Sequence, residues 1–184
     1  MQLADASMSD WRILPFEAGD AEMLLARGLA LLEGLAHDPL PTLRWYRATT
    51  PALVLGRGQA GLPTRTSPGL PVVTRFSGGG AVLMDRDLLS LDVLVPAGHG
   101  LLEGSLSAVF ERIGRVWAAA LQDLCVPAVT VHTGPSTARR RGDDRQRLLA
   151  AVCYATLGRG EVLARGRKLV GLAQRRRRPG ALVQ

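Results

Sequence analysis

Residues 70–85 read LPVVTRFSGGGAVLMD, and the character of the chain changes twice within them. Leu70 to Arg75 is apolar and rich in β-branched residues, which predicts a strand. It runs into Ser77-Gly78-Gly79-Gly80, and a further apolar segment follows. Three consecutive glycines cost considerable backbone entropy on folding. Either a ligand comes close to the bare backbone, with amide N–H groups facing an oxygen or a phosphate, or the chain makes a flexible hairpin turn. The stretch is neither a P-loop nor a dinucleotide fingerprint: no GxxxxGK[ST] is present and no GxGxxG opens a helix.

Outward from this loop the chain alternates between short strands and two helices. Upstream, Asp20 to Leu35 places apolar residues at three-to-four spacing after an acidic start and predicts an amphipathic helix. Leu43 to Thr49 and Ala52 to Leu55 predict strands, the second entering the loop Gly56-Arg57-Gly58-Gln59; residues 60–69 predict a loop. Downstream, Leu88 to Val95 predicts a buried strand. Leu101 to Leu124 predicts a long helix with Leu102, Leu106, Val109, Ile113, Val116 and Ala120 on one face. Val126 to His132 predicts a short strand, 134–147 a polar loop, and 148–155 an apolar segment. Glu161 to Ala164 and Lys168 to Ala173 predict two strands folded over Arg165-Gly166-Arg167. Strands with inserted helices imply an α+β or mixed α/β sheet.

The 184 residues, 47% hydrophobic, suffice for one domain with a real core. The start, MQLADASMSDWR, has no basic segment before an apolar run, and no apolar stretch reaches the roughly 20 residues of a membrane span. A cytoplasmic protein is expected. Two cysteines, Cys125 and Cys153, and three scattered histidines imply neither a disulfide framework nor a metal site. The net charge of +7 points to an acidic partner.

Of the 23 basic residues only Lys168 is a lysine. Where arginine has replaced lysine elsewhere, a surviving lysine points to a task that needs a compact charge rather than a bulky fork. On a strand, it can aim that charge at an acyl carbonyl or a phosphate. Cys153, in Ala-Val-Cys-Tyr-Ala, reads locally either as a small core residue or as an acyl-accepting nucleophile near positive charge. Arg175 to Arg178 lacks the interleaved aromatics of single-strand nucleic-acid binders. It reads as a solvated face or a docking patch for an acidic protein, and neither a nucleic-acid nor a membrane partner is expected.

TRFSGGGAVLMD (Thr74 to Asp85) resembles the RRxSGGGAVxHD signature of the lipoate-protein ligase and octanoyltransferase family, within the biotin/lipoate protein ligase superfamily. GRKLVGLAQRRRRPGALVQ (Gly166 to Gln184) is similar to that family's GxKxxGxAQxR stretch. LVLGRGQ (Leu53 to Gln59) resembles its GRxQ loop, and CYATLGRGEV (Cys153 to Val162) the segment before its lysine. Order and spacing hold from about Asp20 to the end. Thr74 and Met84 depart from the signature, standing where it has arginine and histidine. The different glycine-arginine signature of biotin ligases is not found.

The resemblance implies an α+β fold like the catalytic domains of class II aminoacyl-tRNA synthetases and biotin synthetases. In it a mixed sheet is flanked by helices on one side, and an acyl chain lies in a tunnel. Residues 1–184 are expected to form a single catalytic domain without the family's C-terminal end and accessory domain. By the same resemblance Cys153 and Lys168 are catalytic. Arg75, Ser77, Gly78, Gly79, Gly80, Ala81, Gly171 and Ala173 would line the acyl or acyl-adenylate site. The expected function is transfer of an octanoyl or lipoyl group, through a Cys153 thioester, to a lysine of a lipoyl domain. Its partners would be acyl carrier protein and the lipoyl domain of an E2 or glycine-cleavage H protein, with no cofactor. The alternatives are an ATP- and Mg-dependent lipoate-protein ligase and a non-catalytic homologue.

Overall fold

A computed structural model of the chain describes residues 11–61, 69–137 and 151–184. The predicted loops over 60–69 and 134–147, the apolar segment 148–155 and the N-terminal reading fall partly or wholly outside these residues.

The largest sheet has the strand order β1-β2-β6-β11-β10. Its members are β1 (Arg12–Gly19), β2 (Thr42–Ala48), β6 (Ser90–Pro96), β11 (Gly180–Val183) and β10 (Gln174–Arg177). Only β1 and β2 run parallel; the other neighbours are antiparallel. Two three-stranded sheets adjoin it. One is β4 (Val72–Thr74), β3 (Ala52–Leu55) and β5 (Val82–Met84), in that order; the other is β7 (Val129–Val131), β8 (Val162–Ala164) and β9 (Arg167–Val170). The glycine loop connects β4 to β5 on the second sheet.

Helix α1 (Ala21–Gly34) starts where the pattern placed it, because the Asp20 carboxylate accepts from the Glu22 and Met23 amides. Helix α2 (Leu106–Asp123) starts later than expected. Residues Gly100–Leu102 form a 3₁₀ turn, Gly104 takes a left-handed conformation (φ +78°), and Ser105 caps the helix proper. The expected face of α2 is also corrected. Val109 and Ile113 are buried, but Leu106 and Val116 stay 50% and 64% exposed. The small residues Gly114 and Ala118 are buried as well, Gly114 lying against Val131 of β7. The third sheet therefore sets the rotation of the helix.

Strand alternation decides which helix covers which face. Leu94 and Leu182 pack with Leu32 and Leu35 of α1. Their neighbours Val93, Val95 and Val183 pack with Val109 and Ile113 of α2. The two helices thus lie on opposite faces of the five-stranded sheet, not on one side as expected. Strand β1 was unforeseen, because Pro15 interrupts its alternation. It is tolerated at this sheet edge, where the register with β2 slips between Leu14 and Glu17.

Candidate active site

A cavity of about 350 Å³ opens beside the second sheet, within the range of small-molecule sites. Its wall is mostly apolar, with Leu25, Val54, Val82, Met84, Leu91, Trp117 and Leu121 from both helices and three strands. Leu89, Tyr154 and Leu169 also line it and are 55%, 41% and 44% exposed, which makes an apolar rim. Met84 is 2% exposed and adds a flexible apolar side chain where the resembling signature has histidine.

Cys153 lies on this wall, at the start of a 3₁₀ turn. Lys168, in β9, reaches it from behind. Its ammonium donates to the Cys153 carbonyl (2.7 Å) and the Thr156 carbonyl (3.1 Å), and lies 3.6 Å from Cys153 Sγ. Its counter-ion is Glu161, with Nζ to Oε1 at 2.7 Å; the two side chains are only 4% and 7% exposed. Glu161 is itself held by the Gly158 amide (2.6 Å) and the Leu172 amide (3.4 Å). The ammonium also lies 5.3 Å from the centre of the Tyr154 ring. Burial, and then the charges of Cys153 and Glu161, push the Tyr154 phenol above its ordinary range, so it keeps its proton.

The glycine loop packs beside the thiol. The Ala81 amide donates to the Ala151 carbonyl (2.6 Å), and the Cys153 amide to the Ala81 carbonyl (2.8 Å), a one-residue parallel bridge. A Cβ on Gly80 would come within 2.7 Å of the Cys153 nitrogen, so only glycine permits this approach. Arg75 clamps the loop from inside. Its Nη2 donates to the carbonyls of Gly78 (2.7 Å) and Gly80 (2.8 Å), and Nε to Gly78 (3.0 Å). Burial lowers its pKa, while the nearby Cys153 acts in the opposite sense.

Residues 20–184 match the family model described as the lipoyl protein ligase A/B catalytic domain. The chain belongs to this family. Octanoyltransferase LipM of Moorella thermoacetica is 33% identical over 173 residues, covering 91% of this chain and 60% of that protein. Octanoyltransferase LipM of Kyrpidia tusciae is 32% identical over 188 residues, covering 96% and 65%. The chain therefore spans under two thirds of the length of these relatives. Among solved structures, a lipoate-protein ligase A bound with ATP superposes with a TM-score of 0.69 at 19% identity, covering 95% of this chain and 64% of that one. A putative lipoate protein ligase from T. acidophilum with bound lipoic acid gives 0.70 at 20%, covering 95% and 66%. The class of fold expected from the sequence is thus the one observed.

Within this lipoyl ligase fold, the residues singled out in the sequence take distinct places. Cys153, Arg75, Gly171 and Ala173 line the cavity. Lys168 stands behind Cys153. Ser77 is buried with its hydroxyl on Gln184 (2.9 Å), the Gly78 and Gly80 carbonyls accept from Arg75, and Gly80 and Ala81 lie against residues 151–153. Cys125 is exposed at the far end of α2. Sequence reasoning missed Glu161, Tyr154 and Gln184. A buried carboxylate seven residues before the lone lysine is the one signal that could have revealed Glu161, since β8 and β9 form a hairpin.

Proposed function

We propose that this chain is the catalytic part of a cysteine-dependent acyltransferase of lipoate metabolism. It moves an octanoyl or lipoyl group from a carrier-protein thioester to Cys153, and then to a lysine of a lipoyl domain in an E2 or H protein. The observation that carries this reading is a thiol on the wall of an apolar cavity with a buried ammonium 3.6 Å from its sulfur. The names of the curated relatives agree with it. The fold shared with an archaeal lipoate protein ligase described together with its E2 lipoyl domain supports the lipoyl-domain acceptor, not the choice of donor.

In the first step the Cys153 thiolate attacks the thioester carbonyl. A new C–S bond forms, the carrier's C–S bond breaks, and the carrier leaves as a thiol with the proton that Cys153 gave up. In the second step the neutral amine of the target lysine attacks the Cys153 thioester. An amide forms, and the proton lost by the amine returns to the Cys153 sulfur. Lys168 supplies positive charge beside the thiolate without needing to change its protonation state. An exchange between thioesters is close to thermoneutral, so the first step needs no cofactor. The cytoplasm, the compartment proposed for the protein, keeps such a thiol reduced.

Intact-mass measurement after exposure to octanoyl-carrier protein without ATP tests the proposal. The expected result is an octanoyl adduct that hydroxylamine removes, absent in Cys153→Ala and retained in Cys125→Ala. Full lipoyl-domain acylation by Cys153→Ala with free lipoate, ATP and Mg²⁺ would replace this reading with an adenylate-forming ligase. No acylation from either donor would favour a non-catalytic homologue.

A further inference from the structure

Arg44 and Asp92 meet at 2.6 Å with side chains 1% and 0% exposed. A pair this deep adds little net stability, because desolvation offsets the attraction. The surrounding packing is nevertheless built to admit it. A Cβ on Gly28 of α1 would lie 2.7 Å from Asp92 Oδ2, and Arg44 also donates to Glu17 (3.0 Å) and the Leu24 carbonyl (2.9 Å). The remaining contacts of this pair lead toward the cavity.

Gln184 makes the connection. Its Nε2 donates to Asp92 Oδ1 (2.9 Å) and to the Tyr46 hydroxyl oxygen (3.2 Å), while its Oε1 accepts from Ser77 Oγ (2.9 Å). Burial and the Asp92 charge push the Tyr46 phenol far above its usual range, so it stays neutral. The Gln184 amide and carbonyl also pair with those of Ala173, both at 2.8 Å. The side chain must offer a donor at one end and an acceptor at the other, which an amide does and a carboxylate does not. From Ser77 the chain continues through the glycine loop to Ala81, whose carbonyl holds the Cys153 amide.

We propose that Gln184 is a positioning residue for Cys153. It couples the buried Arg44–Asp92 pair to Ser77, and so holds the glycine loop that seats the thiol beside the cavity. Its backbone fixes the adjoining Ala173 wall. Gln184 also lines the cavity itself. The kinetic consequence rests on the acyl-transfer reading; the structural one does not.

The test compares wild type, Gln184→Ala, Gln184→Glu, Ser77→Ala and the double variant Ser77→Ala with Gln184→Ala. Cys153 acylation by octanoyl-carrier protein is followed by intact mass. Each single change should slow acylation at saturating donor by about 10- to 100-fold with little change in KM, because the thiol is misplaced rather than the donor weakly bound. The isosteric Gln184→Glu should be no better than Gln184→Ala. The double variant should be no slower than the slower single one, since both act through one contact. Multiplicative losses, or a wild-type rate in Gln184→Ala, would overturn the proposal. Hydrogen exchange of the Arg57 and Ala81 amides, which are bonded to and from the loop, provides the arm independent of function. Both should exchange at least about tenfold faster in Gln184→Ala and in Ser77→Ala. Unchanged exchange there would overturn the positioning role even if wild type takes no acyl group, whereas an unacylated wild type with faster exchange in the variants sinks only the transferase reading.

Discussion

Replacing Lys168 by methionine separates what the buried ion pair does for the fold from what it does for the chemistry. The change leaves Glu161, whose side chain is 7% exposed, without the ammonium at 2.7 Å. Breaking one side of a buried pair costs about 3–5 kcal/mol. Glu161 retains the Gly158 amide at 2.6 Å and a longer contact from Leu172, which places the loss near the lower end. For a chain of this size, about 3 kcal/mol lowers Tm by roughly 6–12 °C. Adding Glu161→Gln removes the stranded charge, and its amide oxygen still accepts from Gly158. Stability should then return to within about 1 kcal/mol of wild type. Activity should not return. Both variants lack the positive charge 3.6 Å from Cys153 Sγ, and loss of such electrostatic support slows a reaction by roughly 10²–10³. Thermal melts and the initial rate of Cys153 acylation check the two halves on the same samples. A double variant that regains both would make Lys168 purely structural, and a Lys168→Met protein as stable as wild type would refute the buried pair.

Lys168→Arg keeps the charge but must fit a guanidinium where Nζ contacts three acceptors at 2.7 to 3.1 Å. Acyl transfer should fall by no more than in Lys168→Met, by about 10- to 100-fold, at a stability cost of about 1–3 kcal/mol, and a wild-type rate would end the catalytic assignment of Lys168. Gly79→Val places a branched side chain at φ +94° with its Cβ 2.8 Å from Arg75 Nη2, so the loop clamp should fail. The expected loss is about 1–3 kcal/mol in a urea melt together with slower acylation, and an unchanged melt would disprove the clamp. A Cβ on Gly171 would lie 3.2 Å from Lys168 Cε and 3.4 Å from Cys153 Sγ. Gly171→Ala should therefore slow acylation by about tenfold while costing under about 1 kcal/mol of stability; undiminished acylation would show that the thiol has room to spare.

The sequence by itself determined most of the elements and singled out the candidate site residues. Hydrophobic period and Asp20 located α1, alternating or short apolar runs located most strands, and the lone lysine with the motifs around it marked Lys168, Cys153 and the glycine loop as candidates. These are properties of neighbouring residues, and neighbours in the chain carry them. Tertiary structure alone decided that β6 divides its side chains between α1 and α2, because a two-residue period does not say which partner covers which face. It also decided that Arg75 spends its donors on the loop's carbonyls, since a guanidinium reads the same from sequence whether it meets ligand or backbone. Glu161 and Lys168 pair through a hairpin, whereas Ser77 and Gln184 meet across 107 residues. Such contacts exist only once the sheets have closed and water has been excluded, which is when a buried polar group must find its partner.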